Sequence, residues 1–209
     1  MVSAQRGGTE PLQEKVYHVI KEKIVSCEML PGTVINEEML APQFGTSRTP
    51  IREALQRLHR ERFVDIFPRQ GTVVSPVSRD DMYELNQLRL FIEPQAVKYS
   101  CKKLDLSSVR KLRGFFAGFD LQSGSVAEWH RVDRELHSYI VNSCGNSYLC
   151  GMYGAIMDQY HRMRVLSGIN SGRLAEATKE HITICDALLS ADENAAQDRL
   201  AAHIRNDDF

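Results

Sequence analysis

The sequence predicts a mainly α-helical protein in two parts, an N-terminal winged helix-turn-helix and a C-terminal all-α bundle of six helices. Three observations predict it. Residues 36–74 read as helix, tight turn, helix and a two-stranded hairpin. Beyond residue 78 the apolar residues recur with helical period, and no stretch reads as a strand. Between these parts Ser75-Pro76-Val77-Ser78 interrupts both patterns, so domains are expected at 1–76 and 77–209.

Residues 1–10 carry Gly7-Gly8 and no apolar pattern, and are expected to form a disordered tail. Leu12, Val16, Val19, Ile20 and Ile24 make a helical stripe, the first helix, which is expected to pack behind the reading unit. Pro31-Gly32 turns the chain into a short strand at Val34-Ile35. A short helix over 37–44 ends at Gly45, and Ser47 suits the N-cap of the next helix. Thr49 and Pro50 fall in its first turn, where an unpaired amide tolerates proline. Ile51, Leu55 and Leu58 recur at i, i+4 and i+7 and form one apolar face, which leaves Arg48, Thr49 and Arg52 outward near the helix tip. A helix that reads a DNA major groove presents its residues in this way. Phe63-Val64-Asp65-Ile66-Phe67, the turn Pro68-Arg69-Gln70-Gly71 and the β-branched Thr72-Val73-Val74 then read as a wing. The candidate DNA contacts are Ser47, Arg48, Thr49 and Arg52 on the helix, with Gln70, Gly71 and Thr72 on the wing. A winged helix used only for protein contacts is the competing reading, and the two tip arginines argue against it.

Six helices follow near 79–102, 105–121, 125–144, 147–168, 172–190 and 192–206, with Ser78, Asp80 and Asp81 marking the first start. The breaks between them carry Gly, Asn, Asp or Ser. About 130 residues of helix can bury a core of their own.

Composition narrows the function. The formal net charge is −1, but six arginines (48, 52, 57, 60, 62, 69) stand against Glu53, Glu61 and Asp65 in the reading segment. DNA affinity is therefore expected to be modest and salt-dependent. No apolar run approaches the ~20 residues of a membrane span and no signal-peptide core is visible, which points to the cytoplasm. Five cysteines, with no Cys-x-x-Cys, fit reduced core thiols rather than a disulfide framework.

The second part must be read from polar groups on apolar faces. Asp133 and His137 lie four residues apart on the face marked by Val126, Trp129, Leu136, Ile140 and Cys144. His181 shares a face with Leu174, Ala177, Cys185 and Leu188, and His203 with Ala196 and Leu200. His181 and His203 stand about ten and twelve residues from the turn near Ala191, so antiparallel helices bring the rings to similar depth. One carboxylate and three imidazoles suit a divalent first-row ion, Zn²⁺ foremost with Ni²⁺ or Mn²⁺ also fitting. The alternative is a set of separate histidines, each satisfied by backbone or by another ring. Arg89 falls on the stripe of Met82, Leu85, Ile92 and Ala96, and a buried arginine needs an anion. Glu93, one turn on, would serve. So would a small carboxylate held bidentately, with Arg162 and Arg164 beside it.

These residues carry a resemblance. Pro31-Gly32, Leu40-Ala41, the run from Ser47 to Leu55, Arg57-Leu58 and Pro68-Arg69-Gln70-Gly71 resemble the winged-helix signature of the GntR family of bacterial transcription regulators. Asp133-x-x-x-His137, Asn146, Glu180-His181 and His203 resemble the ligand-sensing FCD domain of that family's FadR/VanR branch, in its shorter VanR-like form. The resemblance implies that Asp133, His137, His181 and His203 bind a metal and that Arg89 holds an effector carboxylate. Departures are Cys27 and Arg62 where glycine is frequent, which would loosen two turns, and Pro42 inside a helix, which should cost stability or kink it. Glu38 stands in a slot where some members carry a DNA-contacting arginine, and Leu136 replaces an aromatic.

The expected function is a metabolite-responsive transcription regulator, a repressor in the first instance. A homodimer would set two recognition helices on a pseudo-palindromic operator, with affinity controlled by a small organic acid bound near the metal. Effector binding would then change the half-site spacing. The metal as signal is the alternative. A metal-dependent hydrolase or lyase fused to a DNA-binding module is the enzyme reading; with no inward general base beyond the metal ligand, no catalytic residue is assigned.

Overall fold

A computed structural model describes residues 11–168 and 171–207 of the 209-residue chain. The expected tail at residues 1–10 lies outside them. The chain divides between Pro76 and Val77 into two compact units.

The first unit is α1 (Leu12–Val25), β1 (Val34–Ile35), α2 (Glu37–Gln43), α3 (Arg48–Arg60), β2 (Val64–Phe67) and β3 (Gly71–Val74). Val16, Ile20 and Ile24 of α1 pack with Ile51, Ala54, Leu55 and Leu58 of α3 in one buried core. The sheet is antiparallel in the order β1-β3-β2, so β3 is central: Val34 faces Val73, and Val64 faces Val74. Asn36 caps α2 by accepting from the amides of Glu38 and Met39. Ser47 occupies the N-cap of α3, but its side chain makes no capping hydrogen bond.

The turns are tighter than their residues suggest. Gly45 has φ 61°, and the amides of Gly45 and Thr46 bond back to Pro42 and Ala41, closing α2 with a Schellman motif. The same pattern ends α3, where Arg62 and Phe63 bond to His59 and Leu58. There the left-handed residue is Arg62, at φ 62°, and Cys27 after α1 has φ 61°. Both turns therefore close without glycine, at a conformational cost of about 1–2 kcal/mol each. Pro42 is the penultimate residue of α2, so the helix ends within one residue of it.

The second unit is α4 (Arg79–Ser100), α5 (Leu106–Gly118), α6 (Val126–Asn142), α7 (Ser147–Ser167), α8 (Ser171–Leu189) and α9 (Glu193–Arg205). Ser78 and Asp81 form a capping box on α4; Asp105, Ser125, Asn146 and Asp192 cap α5, α6, α7 and α9. α4 packs on α6, α7 and α9, α5 on α8, and α8 on α9. One core gathers around Trp129, Phe116, Leu136, Ile184 and Leu200, and a second around Val141, Tyr153, Met157 and Tyr160. Trp129 Nε1 donates to Thr178 Oγ1 at 3.0 Å and ties α6 to α8. Val126, placed on the inner face by its spacing, is exposed in the first turn of α6.

Candidate metal centre and reading surface

Asp133 and His137 of α6, His181 of α8 and His203 of α9 are all buried, and one donor atom from each lies within 4.8 Å of the others. The carboxylate Oδ1 of Asp133 is 3.0 Å from His181 Nε2 and 3.5 Å from His137 Nε2, and the two Nε2 atoms are 3.4 Å apart. Zinc bonds of 2.0–2.1 Å in a tetrahedron require donor separations of roughly 3.3 Å, so these spacings already have the right scale.

The outer atoms decide which way the rings point. His203 Nδ1 is 2.6 Å from Glu180 Oε2, and His137 Nδ1 is 2.5 Å from Glu93 Oε2. Burial works to raise both glutamates, yet their partners hold each near a pKa of about 2, led by His203 and Arg173 at Glu180 and by Arg89 at Glu93. A deprotonated carboxylate can only accept, so each Nδ1 carries the hydrogen and each Nε2 turns inward. Carboxylate partners orient and strengthen metal-binding imidazoles in this way. His203 Nε2 is buried with no hydrogen-bond partner among the described residues, as is His181 Nδ1. An inward lone pair left unsatisfied in a dry interior is costly unless something binds it. The donor set therefore fits a divalent ion.

The charges agree. Burial would raise Asp133, but hydrogen bonds from His137 and His181 hold it well below its usual value. Burial, reinforced by His203, lowers His181 to about 4, which leaves it a neutral ligand. Burial also works to lower His137, but the charge of Glu93 lifts it to about 9. His181 lies stacked on Phe116 at 4.4 Å between centroids, which sets the plane of its ring.

Arg89 is fully buried and engaged on every side. Its Nε donates to Glu93 Oε1 at 2.6 Å, its NH1 lies 3.5 Å from Asp207 Oδ2, and the Tyr160 ring stacks 3.9 Å away. The partner one turn on is thus real, and Tyr153 donates to the same Glu93 oxygen at 2.7 Å. Arg164 NH1 lies 3.7 Å from Asp207 Oδ1, and Arg162 is fully buried on α7. Sequence reasoning paired Glu93 only with Arg89, named Glu180 within the Glu180-His181 resemblance, and missed Asp207. Glu180 sits one residue off the His181 face. It reaches a ring on the neighbouring helix, a relation that helical period cannot reveal.

On α3, Ser47, Arg48, Thr49 and Arg52 are exposed together. Arg48 NH1 is 2.7 Å from Glu38 Oε1, and Arg52 Nε is 2.7 Å from Glu37 Oε2, so α2 braces both guanidinium groups. Gln70 and Gly71 are exposed at the wing turn, Gly71 with φ 112°. Thr72 is a correction: only 2% of it is exposed, because alternation along β3 turns Thr72 and Val74 into the core.

The comparisons with known proteins agree with this arrangement. The family model for bacterial regulatory proteins of the gntR family matches residues 12–74, and that for the FCD domain matches residues 84–206. The Nta operon transcriptional regulator of Aminobacter aminovorans is 33% identical over 183 residues, covering 87% of this chain and 85% of that one. The HTH-type transcriptional repressor RspR of Escherichia coli (strain K12) is 20% identical over 98% of this chain and 90% of its own. The solved structure of E. coli McbR/YncC has the same fold, with a TM-score of 0.73 at 24% identity over 94% of this chain and 95% of that one.

Proposed function

The chain belongs to the gntR family of bacterial regulatory proteins, with an FCD domain as its second unit, and on that premise we propose that a divalent metal ion, bound by Asp133, His137, His181 and His203, controls its affinity for operator DNA. The family makes it a DNA-binding regulatory protein, not an enzyme. One observation carries the metal reading: four buried donors converge, and the inward Nε2 of His203 has no hydrogen-bond partner among the described residues. When bound, the ion supplies the positive charge and coordination that tie α6, α8 and α9 together, with zinc fitting the N₃O donor set and nickel or manganese as alternatives. Glu93 and Glu180 hold the Nδ1 side of the His137 and His203 rings, so that each Nε2 faces the centre before any ion arrives, and at His137 the ion must still displace a proton.

For the reading surface we assign Arg48, Thr49 and Arg52 to base edges or phosphates and Ser47, Gln70 and Gly71 to the backbone and adjacent groove. Glu37 and Glu38 must release the two guanidinium groups, or share them, when DNA binds. A homodimer would place the two α3 helices about one DNA turn, roughly 34 Å, apart on a pseudo-palindrome. Leu88, Phe91 and Tyr99 form an exposed stripe at i, i+3 and i+11 on α4, and Tyr148 and Met152 are exposed on α7, which supports such pairing. Six helices after the linker fit the VanR-like form of the FadR/VanR branch, and the name of RspR supports repression. Five free cysteines suit the reducing cytoplasm. No helix among the described residues is long and apolar enough to cross a membrane.

A small carboxylate held by Arg89, Arg162 and Arg164 is the second reading. It is favoured by one observation, that a carboxylate, that of Asp207, already lies against Arg89 and Arg164. The deciding experiment measures metal per chain, and then affinity for the DNA flanking the gene, in metal-loaded and stripped protein. About one ion per chain, lost in His203→Ala, together with a metal-dependent change in DNA affinity, is the expected result. Equal DNA affinity with and without metal would sink the metal-as-signal reading.

A further inference from the structure

Asp207 lies two residues beyond the end of α9 and is 4% exposed. An aspartate just past a helix end is ordinarily solvated, and this one is held from three helices. Arg173 NH2 of α8 donates to Oδ1 at 3.1 Å, and Arg164 NH1 of α7 lies 3.7 Å from the same oxygen. Oδ2 faces Arg89 NH1 of α4 at 3.5 Å and accepts from the hydroxyl of Tyr160. Asn86 Nδ2 reaches the backbone carbonyl of Asp207 at 3.4 Å. Arg89 and Arg173 are also paired with Glu93 and Glu180, so the cluster is a dense alternation of buried charge in which the position of Asp207 is one anion among several cations.

A cavity of about 670 Å³ opens beside it, with Asp207 as part of its wall. Its other walls are mixed: Met82, Tyr83 and Met163 offer apolar surface, Arg79 and Asp80 bring charge of both signs, and Asn86 has an Oδ1 that is buried with no hydrogen-bond partner among the described residues. That volume is in the range of pockets that hold small organic molecules. A carboxylate site, a chamber of mixed polar and apolar lining and an unused acceptor therefore adjoin, and the element separating them is a side chain on a short turn.

We propose that Asp207 is a built-in occupant of the carboxylate site around Arg89, Arg164, Arg173 and Tyr160, and that a small organic acid must displace it to bind. The inference rests on the regulator reading, and it deepens the second of its two signals. The acid's carboxylate takes over the arginine contacts, its body fills the chamber, and a donor on it meets Asn86 Oδ1. Asp207 needs only a rearrangement of the turn after Arg205 to leave, with no helix broken. A tethered competitor acts at an effective concentration in the millimolar range. It therefore sets a threshold: an acid with no contact beyond its carboxylate loses to Asp207, and one that also uses the chamber wins.

The test uses the full chain, metal-loaded, with acetate as probe and chloride at matched ionic strength as control. Asp207→Ala empties the site; Asp207→Asn keeps its shape without the charge, should the alanine variant fail to fold. Titration calorimetry and thermal shift in acetate are read alongside metal content and binding to the flanking DNA. Acetate binding at least about tenfold tighter in either folded variant than in wild type, and lost when Arg173→Gln is added, is the expected result. DNA affinity that responds to acetate in the variants and not in wild type would extend it to regulation. Folded variants with wild-type metal content and no gain in acetate binding would overturn the proposal. In that case unchanged DNA binding would show the regulator reading standing without it, whereas loss of DNA binding in wild type would strike that reading instead.

Discussion

Replacing Glu180 by glutamine separates a metal site from a knot of buried histidines. The carboxylate holds Nδ1 of His203 at 2.6 Å, and the same side chain accepts from Arg173 at 2.9 Å and from Asn206 at 2.8 Å. Glutamine fits the space and can still accept one hydrogen bond, but it brings no charge to strengthen the imidazole. Loss of such an outer partner weakens metal binding by about 10–100-fold. Glu180 is 23% exposed at its side chain, so solvent softens the loss and the lower end applies. The expected penalty is about tenfold, or about 1.4 kcal/mol. A competition titration against a chromogenic chelator measures it, with His203→Ala as the reference in which the fourth donor is gone. If Glu180→Gln binds zinc as wild type does while His203→Ala does not, the orienting argument is wrong. If both bind as wild type does, the four donors are not the site.

Three further outcomes follow from the geometry. Arg48→Ala and Arg52→Ala should each weaken DNA binding and, where the contact is to phosphate, reduce the slope of log K against log salt by about 0.9, read by anisotropy across a salt series; an unchanged slope and affinity would remove the residue from the reading surface. Stripping the ion should lower thermal stability, since an ion at 100 times its Kd adds about 2.7 kcal/mol, worth roughly 5–10 °C in a protein of this size; a melting temperature indifferent to chelator would contradict an ion at the site. Zinc affinity should climb between pH 6.5 and 9. Burial works against the His137 proton, but Glu93 holds it up to about 9, so in the metal-free protein its stabilising effect is complete below the usual 6.5 and disappears as pH rises through 9. The ion must displace that proton, and a flat pH profile over this window would refute the assignment.

Much of this was legible from residue order alone. Helical period located α4 to α9, because each buries one face, and spacing from the Ala191 turn placed His181 and His203 together; their ring centroids are 4.4 Å apart. What escaped depends on contacts between distant segments. Asp207 meets Arg89 across 118 positions, and no local pattern marks an aspartate after a helix as buried. Thr72 was misread because a β-branched residue beside a wing turn looks the same whether it faces DNA or core. Only the register with Ile35 and Ile66 on the two flanking strands decides that. Cys27 and Arg62 show the reverse case, in which a side chain that disfavours a turn is overruled by the hydrogen bonds closing it.

The central position of β3 has a mechanical consequence. The chain leaves the first unit directly from this strand, which is zipped to β1 on one edge and β2 on the other. Val74, its last residue, exchanges hydrogen bonds with Gly32 and Thr33 at 2.9 Å each, and the amide of Ser75 is bonded to Phe63 at 3.0 Å. A pull along the linker therefore loads these bonds in shear, many at once, rather than peeling them one at a time.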